Sequence, residues 1–102
     1  MDEIKVIWKD ILIAESHALL EDILEKLHLE LKDIGLDERE FGWETLSYLI
    51  THKLGRFPSS GEIINNESFK KGGKIKNHIE FKILDIKDSK IGKVEIRKSK
   101  VT

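Results

Sequence analysis

Eleven residues near the C-terminal end carry the chain's strongest chemical signal: Lys70, Lys71, Lys74, Lys76, Asn77, His78, Lys82, Lys93, Arg97, Lys98 and Lys100. Ammonium and guanidinium groups at this density neutralise phosphates, and Asn and His add hydrogen bonds to base edges. The set therefore reads as a candidate surface for double-stranded DNA. Glu80-Phe81-Lys82 also has the spacing of a strand-borne nuclease half-site, in which the carboxylate holds a metal and the lysine orients water. The upstream acid that such a site needs is missing, so no catalytic residue is assigned. His17 and Glu21 stand i, i+4 with Asp22 and Glu25 nearby, a pairing able to hold a divalent ion. His28, His52 and His78 are scattered without ligand spacing, so the reading assigns no metal site and no cofactor.

The cations belong to a polarised chain. Residues 1–69 hold 7 Lys/Arg against 15 Asp/Glu, whereas residues 70–102 hold 11 against 4, so a net charge of −1 hides an acidic body with a basic end. That segregation is expected of a protein that touches a polyanion with one face. Length fits one domain, 1–102, and fifteen Ile with twelve Leu are enough to build its core. Cysteine is absent, which excludes disulfides and thiolate chemistry. Asp2 and Glu3 open the chain without an apolar run behind them, so a cytoplasmic protein away from the membrane is expected. The Lys-, Glu- and Ile-rich, Gln-free composition resembles thermophile usage, and AT-rich coding produces the same bias.

These residues need elements to position them. Leu20, Leu24, Leu27, Leu31 and Ile34 recur at helical spacing, with Gly35 as the stop, and Ile4, Ile7, Trp8 and Ile11 extend the stripe upstream. Helix is favoured over residues 1–36, with short strands at Ile4–Trp8 and Ile11–Ala14 as the other reading. The Leu-rich side exceeds what a small domain buries, which suggests a homodimer through this N-terminal helix. Asp37 with Glu40 marks a second helix start, carried by Phe41, Leu46, Leu49, Ile50 and Leu54 to Gly55. Ser59 with Glu62 marks a third, carried by Ile63, Ile64 and Phe69 to Gly72-Gly73. From Ile75 the period becomes two, and Asp88-Ser89-Lys90-Ile91-Gly92 turns the chain into Val94 and Ile96. Helical spacing through Ile75, Ile79, Ile83 and Ile86 stays open beside this hairpin. Trp8 and Trp43 lie outside the basic region and read as core or subunit-interface residues.

Helix, Gly/Pro turn, helix, basic segment and hairpin form the layout of a winged helix-turn-helix. Leu54-Gly55-Arg56-Phe57-Pro58-Ser59-Ser60-Gly61-Glu62-Ile63 resembles the approach to the helix-turn-helix of some bacterial and archaeal regulators. The resemblance implies an α+β fold of three helices followed by a C-terminal β-hairpin. Residues 1–36 would be an acidic helical region, and residues 37–102 the helix-turn-helix with its basic hairpin. It implies a non-catalytic DNA-binding protein, a small transcriptional regulator of a prokaryote, archaeon or virus. Its recognition helix would be Ser60–Lys71 or Lys74–Ile86, with Lys93, Arg97, Lys98 and Lys100 on the wing. The alternative is a protein–protein interaction module, such as a viral or phage factor acting on a host protein.

Overall fold

In a computed structural model, residues 3–69 and 77–100 are described. A five-stranded antiparallel sheet in the order β1-β2-β7-β4-β3 forms one layer. Short helices between β2 and β3 form the other. The strands are β1 (Ile4–Trp8), β2 (Ile11–Glu15), β3 (Ile63–Asn65), β4 (Asn77–Ile83) and β7 (Lys93–Lys100), and a two-stranded hairpin, β5 (Ile86–Lys87) with β6 (Lys90–Ile91), projects between β4 and β7. The helices are α1 (Leu20–Lys26), α2 (Glu38–Phe41) and α3 (Leu46–Leu54), with 3-10 turns at Leu31–Ile34 and Asn66–Ser68.

This is not three helices followed by a hairpin, and each departure has a local cause. The first region opens as the β1–β2 hairpin, because Ile4, Val6, Ile7, Ile11 and Ile13 are β-branched and fit a pleated surface better than a helix. The helix that follows stops after about two turns at Leu27, and His28 takes a left-handed φ of 59°. Leu20, Leu24, Leu27, Leu31 and Ile34 are nevertheless all buried, since the chain re-enters the same side of the core through the 3-10 turn. Those leucines pack on the sheet rather than on a second copy, which removes the surface read as a homodimer contact. The second helix is cut at Gly42, where a Cβ would lie 2.5 Å from the Glu38 carbonyl oxygen. Asp37 caps the first piece by accepting from Arg39 N–H, and Thr45 caps the second by accepting from Tyr48 N–H. Gly55, at φ 70°, closes it.

The third predicted helix, Ser60–Lys71, does not form over its described part. The Ser59–Glu62 capping pair is half made, with Ser59 N–H donating to the Glu62 carboxylate at 2.9 Å. Arg56 takes that carboxylate from the other side in a two-pronged ion pair, so the motif clamps a loop instead of starting a helix. Gly61 N–H then donates to the Ile83 carbonyl and Ile83 N–H to the Glu62 carbonyl, which lays Ile63-Ile64-Asn65 along β4 as an edge strand. Alternation over β4 and β7 does produce paired strands, Phe81 opposite Ile96 and Ile83 opposite Val94. They are the interior of the sheet rather than a wing, and the recognition-helix reading of Lys74–Ile86 fails over the described residues 77–83.

One polar side chain is buried with the core among the described residues. Asn66 donates to the carbonyls of Ile34 at 3.1 Å and Asn77 at 2.9 Å, and accepts from Ile79 N–H at 3.0 Å. It ties the end of the helical layer to the first turn of β4. Asn66→Ala leaves three backbone groups unpaired and is expected to cost about 3–5 kcal/mol in chemical unfolding. Asn66→Asp keeps the shape but aims a carboxylate at two carbonyls, so its deficit against wild type should widen as pH rises through the carboxylate range. A deficit that is flat with pH would argue against the contact geometry.

The Arg56 guanidinium and Ser59 N–H hold the Glu62 carboxyl below its ordinary pKa. A depressed folded-state pKa contributes stability above the unfolded value, and that contribution disappears as pH falls through the folded one. Glu62→Gln should therefore lie below wild type in stability at neutral pH. The two should converge below the ordinary carboxylate range, as followed by urea midpoints against pH.

Candidate functional site

Strand register places every polar residue of the sheet on a known side. Leu12, Ala14, Ile64, Ile79, Phe81, Ile83, Val94 and Ile96 face the helices and are buried. Their alternates form an open face of two cross-strand rows. One row runs Lys5, Ile13, Glu95, Lys82, Ile63, and the next runs Trp8, Ile11, Arg97, Glu80, Asn65. Glu95 thus lies opposite Lys82, and Arg97 opposite Glu80. Within β7 the Arg97 guanidinium also holds Glu95, at 2.9 and 3.0 Å. Lys93 stands opposite Glu15.

Among the described residues, the strands of the sheet consequently do not present a uniformly basic face. Of the eleven residues singled out from the sequence, Lys82, Lys93 and Arg97 reach the open face, each next to an acid. His78 lies opposite Ser99, with its Nδ1 3.8 Å from Glu67. Lys98 points the other way, its ammonium donating to the Leu27 carbonyl at 2.8 Å, where it satisfies the C-terminal end of α1. Asn77 opens β4 opposite Lys100. Lys70, Lys71, Lys74 and Lys76 lie outside the described residues. The sheet brings acids from the first half of the chain and from the strands themselves beside the cations of its open face, which reduces the local potential there.

The metal readings also change. His17 faces Glu3 at 3.4 Å. Glu80 stands in the cross-strand ladder opposite Arg97, and no group of three or more His, Asp or Glu able to hold a cation occurs among the described residues. The helical layer is acidic, with nine Asp/Glu against four Lys/Arg over residues 16–54. It contains a cleft of about 600 Å³ rimmed by Glu21, Glu25, Glu30, Glu38, His28 and Lys32.

What the sequence reading missed is the left edge of the sheet. Among the described residues β1 pairs only with β2 and forms the edge of the sheet, with its outer backbone N–H and C=O groups facing away from it. Val6 is 56% exposed, Ile7 48% and Trp8 73%, an apolar run at a position that proteins ordinarily protect with charge. A bulge between Val6 and Trp8 throws the tryptophan outward. Trp43, in the turn before α3, is 85% exposed. Both tryptophans are therefore surface residues, not core.

A family model for the transporter-associated domain CorC_HlyC matches residues 7–100. The chain belongs to the CorC_HlyC family. The fold of CorC_HlyC domains is also what solved structures match. The domain of a Corynebacterium glutamicum hemolysin superposes with a TM-score of 0.73 at 13% identity, covering 96% of this chain and 100% of that one. The CorC-associated region from Neisseria meningitidis gives 0.66 at 17%, again covering 96% and 100%. The CorC_HlyC domain of a Xylella fastidiosa hemolysin, a structure in complex with Mg²⁺ and Mn²⁺, gives 0.63 at 15%, covering 99% and 100%. No curated protein matches the chain at comparable significance. Membership in the CorC_HlyC family overturns the winged-helix resemblance, and with it the transcriptional regulator and double-stranded DNA as partner.

A face on which cations stand beside acids has few counterions to release. Titration with random duplex DNA should show negligible binding at physiological salt, and Lys82→Ala/Lys93→Ala/Arg97→Ala should not change it. A steep fall of affinity with salt would contradict the pairing of charges described above.

Proposed function

We propose that this chain is a non-catalytic docking module of the cytoplasm that serves a divalent-cation transport protein, whether in the same polypeptide or a separate one. The exposed apolar edge Val6-Ile7-Trp8 carries the reading. An unpaired strand edge accepts a further strand through main-chain hydrogen bonds, and a protruding tryptophan anchors the partner by filling a pocket. The family's description as transporter-associated supports a transport protein as that partner. The relative named as the associated region of a Mg²⁺ and Co²⁺ transporter supports divalent cations as the cargo. Catalysis has no support in the geometry described. Glu80 stands opposite Arg97 and Lys82 opposite Glu95 in the sheet, and Glu40 lies 2.8 Å from His52, which packs on Phe41 and Tyr48.

Photo-crosslinking in the cells that make the protein tests the proposal. A benzophenone amino acid at position 8 should link to a membrane transport protein, while the same group at position 90, on the β5–β6 hairpin, should not. Val6→Lys/Trp8→Lys should weaken the complex by a factor of about 30 or more, as expected when a buried aromatic anchor is lost. Crosslinks from position 8 that reach no transport protein would overturn the proposal.

A further inference from the structure

Two adjacent rows of the open sheet face have an internal symmetry that none of its strands has alone. Read across β2, β7, β4 and β3, the first row is Ile13, Glu95, Lys82, Ile63: apolar, negative, positive, apolar. Turned about an axis that runs along the strands midway between β7 and β4, the row becomes positive over negative and apolar over apolar. The second row, Ile11, Arg97, Glu80, Asn65, keeps the charge pairing, placing Arg97 over Glu80 and Glu80 over Arg97, with Ile11 over Asn65. A closed two-fold interface requires this property, because each residue must face its partner in an identical patch. Neighbouring registers of the face lack it. Shifting the axis onto β7 sets Glu95 over Glu95 and Arg97 over Arg97.

We infer that the open face is a homodimer interface in which two sheets pack face to face about that axis. Charge complementarity commits the face to a second copy rather than to an unrelated protein. A partner must offer the same alternation of sign at the same strand spacing, and this face offers it to itself. Near-aligned packing of two twisted sheets is the ordinary geometry for such a contact. Ile63, 55% exposed on an edge strand, acquires Ile13 of the second copy as its neighbour, which accounts for an isoleucine at that position. β1 overhangs the four overlapping strands, so its outer edge stays free and the two surfaces do not compete.

Charge reversal across the axis gives the test. In Lys82→Glu, two carboxylates face each other on either side of the axis. In Glu95→Lys, two ammonium groups do. Each variant alone should raise the dimer dissociation constant at least tenfold in sedimentation equilibrium, because like charges juxtaposed in an interface are repulsive. Mixing the two restores opposite charges on both sides of the axis, so the mixture should form a one-to-one heterodimer. Thermal melts of each variant verify folding. Ile63→Lys, at a site already open to solvent, should weaken the dimer without that risk. Wild-type dimerisation should also weaken as salt is raised. A wild-type chain that stays monomeric at high micromolar concentration and low salt would overturn the inference. So would folded variants that dimerise like wild type, or a mixture that remains monomeric.

Discussion

Asn66 holds the two layers in one arrangement. Its amide is fully buried, yet all three of its contacts are backbone groups from different segments: the carbonyl that ends the 3-10 turn at Ile34, and the carbonyl of Asn77 and N–H of Ile79 at the start of β4. Leucine and isoleucine contacts are non-directional and would tolerate sliding of the helices over the sheet. An amide between two carbonyls and an N–H would not, since any displacement leaves buried groups unpaired. Phe69 and Phe81, stacked at 6.5 Å, pack beside this region, and Lys53 lies 5.2 Å over the Phe69 and Phe41 rings. Polar direction and aromatic packing together fix where the helical layer sits.

The sheet decides the electrostatics. Along the chain, cations cluster after residue 70. In the fold, β7 runs between β2 and β4, and its own alternation sends Glu95 and Arg97 out while Val94 and Ile96 go in. Cross-strand pairing then sets each charge beside its opposite. Such pairs contribute little to stability where solvent screens them. Their consequence on the open face is an alternating pattern of charge in place of a run of one sign.

Much of the local punctuation was legible. Gly35 and Gly55 stop their elements in the left-handed conformation, Asp37 caps, and strand alternation over residues 77–83 and 94–97 is real. Less legible were the ends and fates of the apolar segments. A stripe from Leu20 to Ile34 has helical spacing because all five side chains are buried, but His28 breaks the backbone halfway. Ser59 and Glu62 have the spacing of a cap, but Arg56 competes for the carboxylate and Ile63-Ile64 gains more from pairing with β4. Asn66 is next to Asn65, an exposed residue of the same type. No local signal separates a buried asparagine from a solvated one.

By itself the sequence determined a single Ile/Leu core, the absence of thiol chemistry, the turn and cap positions, and a run of alternating strands at the C-terminal end. These follow from composition and from interactions within a few residues. Only the tertiary structure decided that the first segment is a hairpin, that the leucine stripe faces inward, that Lys98 caps α1, and that the cations are interleaved with acids. Strand order is not encoded locally. Each strand's alternation says which residues share a face, but the neighbours on that face arrive from positions as distant as 12 and 96, and their pairing is settled by how the whole core closes.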